Sequence, residues 1–306
     1  MSNKDRKLIS FDWAIKKILR SKANFEVLEG FLSELLFEEI TLLEVLESES
    51  NKELKEDKFN RVDIKVKNSN EEIILIEIQY DRELDYLQRM LYATAKTIVE
   101  HIAEGTAYSQ IVRVISINIL YFNFGEGDDY IYQGTTSFIG MHNKSVLKLN
   151  PKQAQLYKTE LVEKIFPEYY LIRVNNFNDL AKDSLDEWIY FLKNEEIKDN
   201  FKAKGLAKAK EVLDYLKCPE SERLEYEAYK ESLHNQASMY ESTYVVGHMD
   251  GKKEGRIEGE QIGIVKGEQI GIEKGKIETA KAMLKEGIDI QTVMKIISLT
   301  EAQILS

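Results

Sequence analysis

Residues 73–80, Ile-Ile-Leu-Ile-Glu-Ile-Gln-Tyr, constrain this chain more than any other stretch. The run is aliphatic and β-branched and holds no glycine or proline, so it reads as a strand. It is apolar on both faces, as a strand in the middle of a sheet is. Upstream, Arg61–Val66 alternates strictly, with Val62, Ile64 and Val66 on one face and Arg61, Asp63 and Lys65 on the other. The polar residues 67–72 between the two runs favour a turn, and the pair reads as a hairpin. Pairing Lys67 with Ile73 leaves a five-residue loop at 68–72 and sets Asp63 opposite Glu77. Gln79 then shares the face of Glu77, because residues two apart on a strand point the same way.

Two carboxylates and an amide would therefore converge at one end of a buried hairpin. Buried charges are paired or bind metals, and adjacent carboxylates repel until one takes up a proton. A divalent cation removes that conflict. An oxygen-only donor set suits Mg²⁺ or Mn²⁺. The competing reading keeps Asp63 on an exposed face, paired with Arg61 or Lys65, with Glu77 and Gln79 at a strand end in water.

The wider pattern favours the first reading. Asp63, then Glu77-Ile78-Gln79, then Arg89-Met90-Leu91-Tyr92 on a helix resembles the recombination-promoting nuclease and transposase branch of the PD-(D/E)XK nucleases. The resemblance runs from about Phe11 to Phe124 and takes in Ile15-Lys16-Lys17-Ile18-Leu19 and Gly105-Thr106-Ala107-Tyr108. It implies an α/β (α+β) fold, with a restriction-endonuclease-like mixed-sheet core and a helical C-terminal region. It also implies cleavage of a DNA phosphodiester with Mg²⁺, or Mn²⁺, held by Asp63 and Glu77. Asp12, in the first turn of the first helix, is a third candidate ligand by the same resemblance; a first-turn acid favoured by the helix dipole is the alternative. The superfamily's usual Glu-x-Lys stands here as Glu77-Ile78-Gln79, and an amide brings no positive charge. Arg89 and Tyr92, three apart on the helix, are candidates to clamp and position a phosphate. A surface arginine and a half-buried tyrosine are the plain alternatives.

Composition sets limits on function. Hydrophobic residues make up 43% of the 306, enough for a substantial core, and the net charge of −11 argues against a protein that coats nucleic acid. A nuclease is compatible with that charge, since a local site can be basic on an acidic chain. The single cysteine, Cys218, excludes an internal disulfide, and no Cys/His cluster suggests zinc. No cationic-apolar leader or long apolar run suggests a membrane segment, so a soluble cytoplasmic protein is expected.

Along the chain, helices are expected over 10–19, 24–37 and 84–104, with Leu87, Met90, Leu91, Thr94, Ala95 and Ile98 as the buried stripe of the last. Strands are expected at 40–46, 112–122, 130–132, 135–139 and 169–174, in addition to the hairpin. Helices over 180–192, 201–216 and from 221 towards Met249 follow. These divide the chain into a nuclease-like domain (1–178), a helical region (179–250) and a tail (251–306). In the tail, glycine recurs at 251, 255, 259, 263, 267, 271 and 275, and residues 259–266 are repeated almost verbatim in 267–274. Seven glycines destabilise a helix by about 7 kcal/mol against alanine. A helix there implies a partner, and a homo-oligomer through this tail is expected; a flexible repeat is the alternative. A row of glycines four apart drifts about 40° per step, so a partner following it winds with a right-handed supercoil. Residues 277–305 read as two or three short amphipathic helices. A catalytically weak nuclease fold acting as an oligomeric interaction module is the second functional reading.

Overall fold

A computed structural model describes residues 8–17, 19–46 and 63–305. Arg61, Val62, Ile18 and the polar connection expected over 49–59 lie outside the described residues. The described chain falls into two compact units, one ending at Glu231 and the other beginning at Ser232.

The first unit is built on a six-stranded mixed sheet. Helices α1 (Phe11–Lys17) and α2 (Phe25–Leu36) come first, then β1 (Leu42–Leu46), β2 (Ile64–Asn68) and β3 (Ile73–Gln79). Helix α3 (Tyr86–Glu100) crosses over to β4 (Val114–Leu120), followed by β5 (Ile131–Gly134), α4 (Pro151–Tyr157) and β6 (Glu168–Arg173). The spatial order is β1-β2-β3-β4-β6-β5. Strands β1 to β3 are antiparallel, β3, β4 and β6 are parallel, and β5 returns antiparallel on the edge. The expected hairpin register is the one observed: Lys67 pairs with Ile73 and Ile64 with Ile76. Continuing that register sets Asp63 opposite Glu77. Residues 135–139 do not form the expected strand; an isolated bridge joins Ile139 to Val146.

The two sheet faces differ in chemistry. Ile64, Val66, Ile74, Ile76, Ile78, Ile115, Ile117 and Ile119 point into the main core, against α1, α2 and α5 (Ser184–Asn194). Phe11 of α1 lies in an aromatic cluster with Phe31 at 5.5 Å, Trp188 at 6.1 Å and Phe191 at 6.2 Å between ring centroids. Edge-on packing of this kind fixes ring positions as well as burying area. The chain before α1 is anchored too: Ile9 N donates to Leu213 O at 2.9 Å, and Ser10 N to the Tyr226 hydroxyl at 3.1 Å. The opposite face carries Lys65, Leu75, Glu77, Ser116 and Asn118 and is covered by α3. The buried stripe of α3 is Tyr86, Met90, Ala93, Thr94 and Thr97, whereas Leu87, Leu91 and Ala95 are exposed. The stripe expected from apolar spacing is thus rotated. A sheet face with polar groups takes the helix side that can hydrogen-bond them, as Tyr86 does when its hydroxyl donates to Asn118 Oδ1 at 3.1 Å.

Helix α6 (Leu206–Val212) is shorter than expected, and α7 (Glu220–Lys285) is one helix of 66 residues that runs on through the glycine row. The first turns of α7 join the first unit. In the second unit, residues 251–276 are helical, as expected, and exposed throughout; a Cβ added at any of their glycines would meet nothing. Gly287, with φ +90°, ends the helix, and α8 (Ile290–Ile297) and α9 (Glu301–Leu305) pack back on it through Ala280, Val293 and Ile304. Among the described residues, no helix is long and apolar enough to cross a membrane.

One close approach makes a fold-level test. Gly30 of α2 lies under the start of α6, where a Cβ would come within 2.3 Å of Lys204 O and 2.6 Å of Gly205 Cα. Both are main-chain atoms that cannot swing away. Gly30→Ala is expected to destabilise the protein by about 1–3 kcal/mol, read as a lower urea midpoint at unchanged slope.

Candidate functional site

Asp63 immediately precedes β2, where its main chain has left the ladder. Its side chain takes over as acceptor: Oδ2 receives the Ile78 N–H at 2.6 Å. That bond fixes the carboxylate at the carboxyl end of β3, the end where parallel sheets place their ligands. Lys16 Nζ lies 3.1 Å from Asp63 Oδ1, and an Arg20 guanidinium nitrogen donates to Asp63 O at 2.7 Å.

Glu77 is nearly buried beneath α3. Its Oε1 pairs with Arg89, and its Oε2 is buried without a hydrogen-bond partner. Burial raises the Glu77 carboxyl to about 8, and the Asp63 charge adds to this, while Arg89 and Lys16 oppose it. Glu77, Tyr86, Arg89, Ser116 and Asn118 border a cavity of about 10 Å³, near the smallest that holds a water.

A polar chain leads outward from Glu77. Arg89 bridges Glu77 to Glu83 Oε1, the latter at 2.5 Å. Gln79 Nε2 donates to the same Glu83 oxygen at 3.1 Å and to Asp81 O at 3.3 Å. The Arg89 guanidinium also lies 5.9 Å from the centre of the Tyr86 ring. Tyr92, on the same helix, is 40% exposed and does not border the cavity.

Asp12 sits in the first turn of α1, fully buried, where Oδ2 accepts the Tyr229 hydroxyl and Oδ1 has no hydrogen-bond partner. Burial raises its pKa; Lys16 pulls it down and the Asp63 charge pushes it up. Asp12 therefore feels both charged groups, but its bonded oxygen is committed to a tyrosine.

The structure brings Asp63, Glu77, Gln79 and Arg89 into one neighbourhood, with Asp12 at its edge and Tyr92 outside. Sequence reasoning missed Lys16 and Glu83. Lys16 had a signal: it follows Asp12 by four residues on one helix, and so lies on the same face. Glu83 had none, since it stands in the irregular stretch before α3.

As for a metal, two carboxylates with an orphaned buried oxygen fit a divalent cation that keeps most of its waters, as Mg²⁺ does. Among the described residues, no three acidic, histidine or cysteine side chains converge as a ready-made cage. A larger cleft of about 540 Å³ lies elsewhere, between Phe138, Leu147, Ala154 and Leu161, and none of these carboxylates borders it.

The family model described as PD-(D/E)XK nuclease family transposase matches residues 9–243. The chain belongs to that family. No curated protein and no solved structure matches it.

The raised Glu77 carboxyl makes stability depend on pH. In the unfolded chain it titrates at its ordinary 4.5, and in the folded protein at about 8. Between these values the folded state holds the extra proton, so stability falls as pH rises through this window and levels off above it. The slope is at most about 1.4 kcal/mol per pH unit. Metal-free wild type should lose melting temperature between pH 5 and 8, and Glu77→Gln should remove most of that loss. Parallel melting curves for the two proteins would show that Glu77 is ionised throughout.

Proposed function

We propose that this family member is a metal-dependent endodeoxyribonuclease that hydrolyses phosphodiester bonds, acting in the cytoplasm in recombination or transposition of mobile elements. The observation that carries the reading is the buried Glu77 Oε2 beside Asp63, which has no hydrogen-bond partner among the described residues. A carboxylate is not left so placed for stability, because its ion pair with Arg89 compensates one oxygen and leaves the other desolvated without a partner. Nucleases of the PD-(D/E)XK type generally use divalent metals. Asp63 and Glu77 would hold Mg²⁺, with Mn²⁺ as a substitute. When bound, the metal supplies an acidified water and offsets charge on the phosphate oxygens.

The chain's own residues do the rest. Asp63 is held in place by the Ile78 N–H, so its carboxylate is preorganised. Glu77 gives up its proton to become a ligand. Gln79, steadied by Glu83, orients the attacking water. Arg89 is tied to two carboxylates and one-third exposed; it turns its open side to the phosphate. The DNA lies across the carboxyl ends of β3 and β4, with Tyr92 flanking it.

A second reading has support of its own. Among the described residues nothing lies within 4 Å of a Cβ placed on the exposed glycine row, and Gln79 replaces a lysine. A catalytically weak nuclease fold that serves as an oligomeric interaction module accommodates both.

Nicking of supercoiled plasmid with and without Mg²⁺ decides between them. Asp63→Ala and Glu77→Ala should each lower cleavage by at least about 100-fold while the fold persists, since Arg89 keeps Glu83 as a partner. Equal nicking by the variants and wild type would sink the nuclease mechanism. For the tail, truncation after Asp250 should lower the mass seen by light scattering and leave the melting of the sheet unit unchanged. An unchanged mass would remove self-association through the glycine row.

A further inference from the structure

We infer that Lys16 is the cation of this site. On the nuclease reading, its ammonium counters the charge of the scissile phosphate, a task the Gln79 amide cannot perform. Three observations converge on it. The first is position: Lys16 Nζ stands 3.1 Å from Asp63 Oδ1, and its charge is felt at both Glu77 and Asp12. It therefore acts on Asp63 and Glu77 from α1, the helix that also carries Asp12, rather than from β3. The second is availability among the described residues. Arg89 already shares its charge with Glu77 and Glu83, so the side it turns to the phosphate is partly neutralised, and Arg20 bonds the Asp63 main chain. Lys65 is buried and paired with Glu100. The Lys16 side chain is 37% exposed; among the described residues its ion pair is with a carboxylate that would serve as a ligand, and its ammonium also lies 5.8 Å from the centre of the Tyr229 ring. The third is rigidity: Phe11 packs α1 against Phe31, Trp188 and Phe191, so the base of the lysine is fixed.

Lys16 and a divalent cation compete for the same carboxylate. The ion pair satisfies Asp63 in the absence of metal, and metal binding leaves the ammonium without its partner at the edge of the cluster. A phosphate oxygen brought to the metal is then a new anion for it to meet. An ammonium on a flexible stem makes that change of partner by side-chain rotation alone. Gln79, at the end of β3, holds the position from which a strand lysine would supply the charge. The charge is thus carried by the first helix rather than by the third strand, and no backbone change is needed.

The test uses the full chain in wild type, Lys16→Met, Lys16→Arg and the double variant Lys16→Met/Gln79→Lys. Two readouts are taken: Mn²⁺ affinity by calorimetry without DNA, and Mg²⁺-dependent plasmid nicking. Lys16→Met should bind Mn²⁺ several-fold tighter, because the competing cation is gone, and nick about 100-fold more slowly. Lys16→Arg should keep both properties near wild type, and the double variant should recover nicking to within about tenfold of wild type. Wild-type nicking by Lys16→Met would overturn the inference and leave the nuclease reading standing. So would a parallel loss of Mn²⁺ affinity and cleavage in Lys16→Met, which marks a merely structural lysine. If Lys16→Met fails to fold, Lys16→Gln, which keeps a polar stem and removes the charge, takes its place: wild-type nicking by folded Lys16→Gln overturns the inference. Absence of metal-dependent nicking in wild type would overturn the nuclease reading and this inference with it.

Discussion

The burial of one carboxylate at the end of β3 is the constraint on which the rest of the arrangement depends. β3 pairs with β2 and β4 and is covered on both faces, so Glu77 keeps little contact with bulk water. Its charge is met from three directions: Arg89 from α3, Lys16 from α1, and a proton at neutral pH. Each source comes from a different element. The helices on either side of the sheet are therefore tied to the same few ångströms of strand, and the antiparallel hairpin supplies the second acid through Asp63. This is a site that stability alone would have filled with a leucine.

The two faces of the sheet illustrate how such a site is supported. The isoleucine face packs dry against α1, α2 and α5, with the aromatic cluster around Phe11 at its centre. That packing sets the position of α1 and of everything α1 carries. The α3 face is mixed, with Lys65–Glu100, Tyr86–Asn118 and Arg89–Glu77 contacts among the apolar ones. Hydrogen bonds in such surroundings are strong, but each must be made. Glu77 Oε2 and Thr94 Oγ1 are buried on this face without a partner among the described residues.

Much of this was legible in the sequence. An odd-length loop between two well-patterned strands fixes which residues stand opposite, and so Asp63 with Glu77 followed from spacing alone. The family resemblance agrees with the matched family. Three things were not legible. The stripe of α3 was read rightly at Met90 and Thr94 and misread elsewhere, because Leu87 and Leu91 are apolar yet exposed, while Tyr86, Ala93 and Thr97 are the buried positions against a polar sheet face. Spacing reports where a helix is greasy, and a partner with its own polar groups overrules it. Lys16 entered the sequence reading only as part of the motif at 15–19; its 3.1 Å approach to Asp63 exists only after folding. The continuity of α7 was also hidden, since glycine counts against a helix residue by residue and takes no account of what flanks it.

The eight-residue repeat inside α7 has a geometric consequence for how this chain can vary. Eight residues of α-helix advance about 12 Å and turn about 800°, two full turns and about 80° more. Gaining or losing one copy by slippage would keep the frame of the helix and every hydrogen bond in it. The block formed by the end of α7 with α8 and α9, held by Ala280, Val293 and Ile304, would be carried along intact. It would arrive about 12 Å further out and facing about a quarter-turn away. Repeat number is thus a coarse dial for the reach and heading of the C-terminal block, set by the genome in whole steps and read out by the helix without any change of fold.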